Sequence, residues 1–202
     1  MKLLLATLNR GKTADLARLL DSSPIEVLSL RDFPDVPDVE EDGETFLANA
    51  RKKALAYRRL TGLPVLADDS GLAVETLGGE PGVRSARYGG EPADDARNIA
   101  RLLRELAPYP RPEQRKARFV CVLVYLDGEE REHVTEGVCE GTIAAAPRGD
   151  NGFGYDPLFI HPQFGGRTMG EVTRDEKNSV SHRGQAFRAM RDILLASLSR
   201  RA

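Results

Sequence analysis

Residues 7–12 read Thr-Leu-Asn-Arg-Gly-Lys, between an apolar run and a helical pattern. Asn9 is placed to cap the helix start, because its side chain can accept from a free backbone N–H there. Lys12 is then the third helical residue, with Arg10 close by. Both cations stand where the helix dipole favours anions, which makes sense if the missing anion is a phosphate brought by a ligand. The plain alternative is a capped helix with a solvated lysine, and on this segment alone the two weigh equally. Ala6-x-x-x-x-Gly11-Lys12-Thr13 also approaches a P-loop. Ala6 replaces the first glycine, however, which lets such a loop curl its N–H groups toward phosphates. A P-loop NTPase or kinase is therefore the alternative reading and not the main one.

A second segment, "LADDSGL", ends an apolar run with Asp68 and Asp69. Adjacent carboxylates are costly to hold together, but in a strand they point to opposite faces and need not share a role. Asp69 reads as a ligand for Mg²⁺ and Asp68 as part of an Asx turn closed by Gly71. The acidic loop upstream offers Asp38, Glu40, Glu41, Asp42 and Glu44. Magnesium takes oxygen ligands, usually one or two carboxylates with water and phosphate, so one of these acids could complete a site while the rest are ordinary loop charges. Asn49 and Lys53 share a helical face with Phe46 and Ala50, as a cleft wall or as a snorkelling lysine, the latter slightly favoured.

Two further segments lie in the C-terminal third. "GDNGFGYDPLF" sets Phe153 between Gly152 and Gly154, followed by Tyr155 and Asp156. An aromatic ring freed by flanking glycines can stack on a base, or simply anchor a surface loop. "EKNSVSHRGQAF" makes Ser181 an N-cap and puts His182 and Arg183 in a first helical turn, with Lys177 nearby. This repeats the arrangement at residues 9–12. Nothing resembles the nucleophile elbow of a Ser/His/Asp hydrolase.

The elements that must position these groups read as mixed α/β. Strands are expected at 2–6, 25–30 and 64–67, then a long central one in "ARFVCVLVYL", apolar on both faces. Asp127-Gly128 reads as a hairpin turn into "REHVTEGVCEGTIA". Helices are expected at 10–20, 45–60 and 94–107 and from Ser181, where Phe187, Met190, Leu194 and Leu198 form one stripe. The stretch 147–181 is loop-rich, and loops that long are usually functional.

With 202 residues, 41% of them hydrophobic, the chain suits one large domain or two small lobes. A net charge of −2 gives no basic field for gripping a nucleic acid polymer. Cys121 and Cys139 lack zinc-site spacing and read as buried, inert thiols of a reducing compartment. No apolar stretch approaches a membrane span, and the first apolar run is too short for a secretory signal. A soluble cytoplasmic protein is expected.

In order along nearly the whole chain, "TLNRGK", "LADDSGLAVETLGGEPGVRSARYGG", "GFGYDPLF" and "EKNSVSHRGQAF" resemble the inosine triphosphate pyrophosphatase family, enzymes that cleanse the nucleotide pool of dITP, ITP and XTP. Leu8 departs from the small residue the family usually has before the asparagine. The resemblance implies an elongated, twisted mixed sheet flanked by helices, a single catalytic domain over 1–202 with two lobes and a nucleotide cleft, and a homodimer. It also implies Mg²⁺-dependent hydrolysis to the nucleoside monophosphate and pyrophosphate. By motif, Thr7, Leu8, Asn9, Arg10, Gly11 and Lys12 would hold the triphosphate. Asp69 would be general base and metal ligand, and Ser70 would touch substrate. Glu40 matches the second metal ligand best, with Glu41 a near rival. Phe153, Gly154, Tyr155, Asp156, Lys177, His182 and Arg183 would form the nucleoside pocket. A non-catalytic nucleotide sensor would share that pocket.

Overall fold

The computed structural model describes residues 1–8, 10–21 and 23–199. Asn9 lies outside the described residues, as does the side chain of Arg10. The elements in chain order are β1 (Lys2–Leu5), α1 (Arg10–Leu19), β2 (Glu26–Ser29), α2 (Phe46–Thr61), β3 (Val65–Val74), α3 (Asp95–Glu105), β4 (Lys116–Leu126), β5 (Glu132–Ile143), β6 (Phe159–Ile160), α4 (Arg174–Val180) and α5 (His182–Ser199). The strands form one six-stranded mixed sheet in the order β2-β1-β3-β4-β5-β6. β1 pairs in parallel with β2 and β3, and β5 pairs antiparallel with β6.

The chain divides into two compact units, and β3, β4 and β5 each contribute to both. The first contains residues 1–69, 121–136 and 185–202. Its sheet is buried on both faces, as parallel strands require. Leu3, Leu5, Leu66, Cys121, Leu123 and Tyr125 face one core with Leu16 of α1 and Phe187, Met190 and Leu194 of α5. Leu4, Ala6, Val65, Ala67, Val124 and Leu126 face the other, with Ala50, Ala54 and Tyr57 of α2. Period-two alternation thus explains why "LLLA" and "VCVLVYL" are apolar throughout. The expected α5 stripe is the one buried.

The second unit contains residues 70–120 and 137–184. One core gathers Leu72, Val74, Ala117, Phe119, Cys139, Ile143 and Phe159 with Leu102 and Leu106. The alternate positions Ala73, Lys116, Arg118, Glu140 and Thr142 line a groove of about 750 Å³. Among the described residues, none of the expected site residues lines it. Both cysteines are buried, and burial pushes the Cys139 thiol up to about 12, which keeps it inert at neutral pH. No helix among the described residues is long and apolar enough to cross a membrane.

Candidate active site

Strand alternation decides where the two aspartates point. Asp68 follows Leu66 toward α1, where Lys12 Nζ donates to its Oδ2 at 2.5 Å. Asp69 follows Ala67 toward α2, where Asn49 Nδ2 donates to its Oδ2 at 3.0 Å. β3 continues to Val74, so "DDSG" is strand and not the Asx turn expected at Asp68. The reason is long-range: Asp68 is matched by a lysine 56 residues away and needs no local backbone donor.

Lys53 is also buried, at 8% exposure, and not snorkelling into solvent. Its Nζ donates to Glu41 Oε1 at 2.9 Å. Burial presses the ammonium toward neutral, but the Asp68, Glu41 and Asp69 carboxylates outweigh it and hold its pKa above the ordinary lysine value. Burial raises the Asp69 carboxyl; Lys53 and the Asn49 hydrogen bond pull it down; Glu41 and Asp68 push it up again. The outcome is a shift from 3.8 to about 6. Glu41, half-buried on Lys53, is thus the loop acid that acts on Asp69, whereas Glu40 is exposed.

Could these residues hold the Mg²⁺ that the resemblance implies? Among the described residues no three Asp, Glu, His or Cys side chains are gathered as a ready-made metal site. The Glu41 and Asp68 carboxylates raise the proton affinity of Asp69, so added positive charge is favoured there. Magnesium commonly uses one or two carboxylates plus phosphate oxygens and water. The set fits an ion that arrives with a triphosphate.

The segment that follows β1, Thr7 and Leu8, is held by its neighbours. Thr7 is buried, its N–H donates to Leu5 O at 2.8 Å, and its carbonyl accepts from Leu30 N at 3.2 Å. The Leu8 carbonyl accepts from Arg31 Nε at 2.9 Å while its side chain is exposed.

In the second unit, the aromatic loop is built around Asp156, which is 3% exposed. Its Oδ2 accepts from Phe153 N at 2.8 Å and from Lys177 Nζ. Gly154 N donates to Asp95 Oδ2 at 2.7 Å, and the buried Tyr155 hydroxyl donates to Ser85 O at 2.9 Å. So mounted, Phe153 leaves 53% of itself exposed. Lys177 Nζ lies 4.5 Å and Arg183 Cζ 5.2 Å from its ring centroid, within cation–π range. Arg183 Nη2 is 3.5 Å from Ser70 Oγ, and Arg183 Nε is buried without a hydrogen bond among the described residues. Ser181 Oγ accepts from Gly184 N at 3.1 Å, the expected cap. His182 instead packs inward, 6% exposed and stacked on Phe119 at 4.9 Å. The second basic helix start therefore turns Arg183 toward the Phe153 ring and His182 into the core.

Gly152 cannot be exchanged freely. Its φ is +85°, and a Cβ there would fall on Asp156 Oδ2. Gly152→Ala is expected to cost at least about 1–2 kcal/mol from the left-handed backbone alone, read as a lower urea midpoint. An unchanged midpoint would mean that the loop shifts off Asp156 without cost.

Sequence reading did not single out Asp95. An acid in a first helical turn reads as a partner for the helix dipole, and nothing local signals that it reaches a backbone N–H 59 residues away.

A model of the Ham1 family matches residues 3–193. The chain is 53% identical over 186 residues to a dITP/XTP pyrophosphatase of Geobacillus kaustophilus, covering 92% of this chain and 90% of that one. It is 49% identical over 193 residues to one from Geobacter sulfurreducens, covering 96% of each. Among solved structures, a HAM1 protein from Coxiella burnetii aligns with a TM-score of 0.89 at 42% identity, over 96% of this chain and 98% of that one. The four motifs, the mixed sheet and these likenesses agree: the chain belongs to the Ham1 family.

Proposed function

We propose that the chain hydrolyses the non-standard purine nucleoside triphosphates dITP, ITP and XTP to the nucleoside monophosphate and pyrophosphate, clearing them from the nucleotide pool. The observation that carries this reading is Asp69, a buried carboxylate whose pKa of about 6 lies near working pH, as suits a general base. The substrate class is supported by relatives named for dITP and XTP that match over nine-tenths or more of both chains.

Lys12 and the N–H groups of the first turn of α1 offset the charge of the triphosphate. Mg²⁺, when bound by Asp69 and Glu40 or Glu41, neutralises phosphate charge and polarises the α-phosphorus. Asp69 orients the attacking water and takes its proton as the new P–O bond forms and the bond to pyrophosphate breaks. Ser70, next in the chain, touches substrate. Phe153 stacks on the base, worth roughly 1–3 kcal/mol whichever base it is. Lys177 and Arg183 donate toward O6 of hypoxanthine or xanthine, and donors penalise the amino group that adenine carries there, while His182, stacked on Phe119, backs the pocket from the core. A single catalytic domain over 1–202, a homodimer and a cytoplasmic location belong to the same reading.

The test is to incubate the protein with dITP and MgCl₂ and identify the products. dIMP with pyrophosphate is expected. Orthophosphate would favour the P-loop NTPase reading, and binding without turnover a nucleotide sensor.

A further inference from the structure

Asn49 is fully buried in the first turn of α2, one turn before Lys53. Its amide is used at both ends and in opposite senses. Nδ2 donates to Asp69 Oδ2 at 3.0 Å, and Oδ1 accepts from Gly43 N at 2.7 Å. One rigid group thus ties the carboxylate on β3 to the backbone of the acidic loop that carries Glu40 and Glu41. The fit at the loop end is close: a Cβ on Gly43 would lie 2.6 Å from Asn49 Oδ1 and 3.0 Å from Ala48 Cβ. The loop can therefore approach the amide only because residue 43 is glycine. Thr45 Oγ1 caps the helix by accepting from Ala48 N at 3.1 Å, which sets the path of the loop into α2.

We propose that Asn49 is a positioning residue: its amide sets the direction of the Asp69 carboxylate and its spacing from the loop acids, so that the two can share one divalent cation. This rests on the proposed hydrolytic function. The chemistry requires an amide. A carboxylate at 49 could still accept from Gly43, but it could not donate to Asp69; an alanine would lose both bonds. Outer partners that orient metal-binding side chains typically change metal affinity or activity roughly 10–100-fold when removed.

The experiment compares the parent with Asn49→Ala and Asn49→Asp, each first checked for folding by circular dichroism. kcat, KM for dITP and half-saturating Mg²⁺ are measured, and Mn²⁺ binding without nucleotide is measured separately by calorimetry. Asn49→Ala is expected to lower kcat and weaken Mn²⁺ binding, each roughly 10–100-fold, with KM for dITP changed far less. Asn49→Asp separates positioning from loop anchoring. It keeps the Gly43 bond and adds a negative charge, so Mn²⁺ binding should hold or tighten while kcat falls at least about tenfold. The proposal is overturned if Asn49→Asp keeps kcat near the parent's, or if Asn49→Ala binds Mn²⁺ like the parent. Failure of both variants to fold would assign Asn49 to the core and also overturn it. If the parent itself fails to release pyrophosphate from dITP, the functional reading fails, and the Mn²⁺ measurements still decide the role of Asn49.

Discussion

Asp69→Asn will stop turnover and, without divalent cations, make the protein more stable. Asparagine cannot take a proton from water, so kcat should fall by roughly 10²–10⁴-fold, the usual contribution of a general base, while dITP binding persists. The stability effect follows from the pKa. Asp69 ionises at about 6 in the folded chain against an ordinary value of 3.8, because burial and the Glu41 and Asp68 carboxylates disfavour its charge. The folded state therefore holds this proton more tightly than the unfolded one. Its contribution is full below pH 4 and is lost as pH rises through 6. At pH 8 the cost is on the order of 2–3 kcal/mol. The amide of the variant has no charge to desolvate, and its carbonyl can still accept from Asn49 Nδ2. In chelator at pH 8, Asp69→Asn should unfold at higher denaturant than the parent, with the gain shrinking toward zero by pH 4. A variant less stable than the parent at pH 8 would contradict this electrostatic account. Full turnover of dITP would remove Asp69 from the mechanism.

Arg183→Ala will weaken recognition of the base far more than it weakens the fold. The guanidinium lies beside the exposed Phe153 ring, makes one long contact to Ser70, and has a buried Nε without a hydrogen-bond partner among the described residues. The partly buried guanidinium beside the ring can donate to a bound purine O6. A hydrogen bond from a charged donor is worth about 1.5–3 kcal/mol, so kcat/KM for dITP should drop roughly 10–100-fold. The drop for dATP should be smaller, because adenine offers an amino donor at that position. The urea midpoint should move little, since the side chain makes few structural bonds. If the variant hydrolyses dITP like the parent, Arg183 does not belong to the base pocket.

How much of this is legible without the fold? The alternation that buries "LLLA" and "VCVLVYL" on both faces is local, and so are the Thr45, Asp94 and Ser181 caps and the α5 stripe. Each depends on residues within about a turn or a strand of one another, where period and propensity act directly. The family can also be identified from sequence, because its four motifs are contiguous stretches of this chain. Even the opposed directions of Asp68 and Asp69 follow from strand geometry once β3 is granted.

Sequence reading cannot supply the partners. Lys12 meets Asp68 across 56 residues, Asn49 meets Asp69 across 20, and Gly154 meets Asp95 across 59. Periodicity says which face a side chain is on, but packing of whole elements decides what lies opposite. For that reason Asp68 reads as a turn residue, Lys53 as a snorkelling lysine and His182 as a helix-start cation facing a ligand until the fold is known. Likewise Glu40 and Glu41 are near equals in sequence, whereas the fold half-buries Glu41 on Lys53 and leaves Glu40 in solvent. The contiguous motifs and the alternation of apolar residues are enough to identify the family and the strand faces, and to mark the segments from which a site is proposed. Tertiary structure alone decided which charges are buried together, and burial is what lifts one carboxylate, Asp69, into the range where it can act as a base.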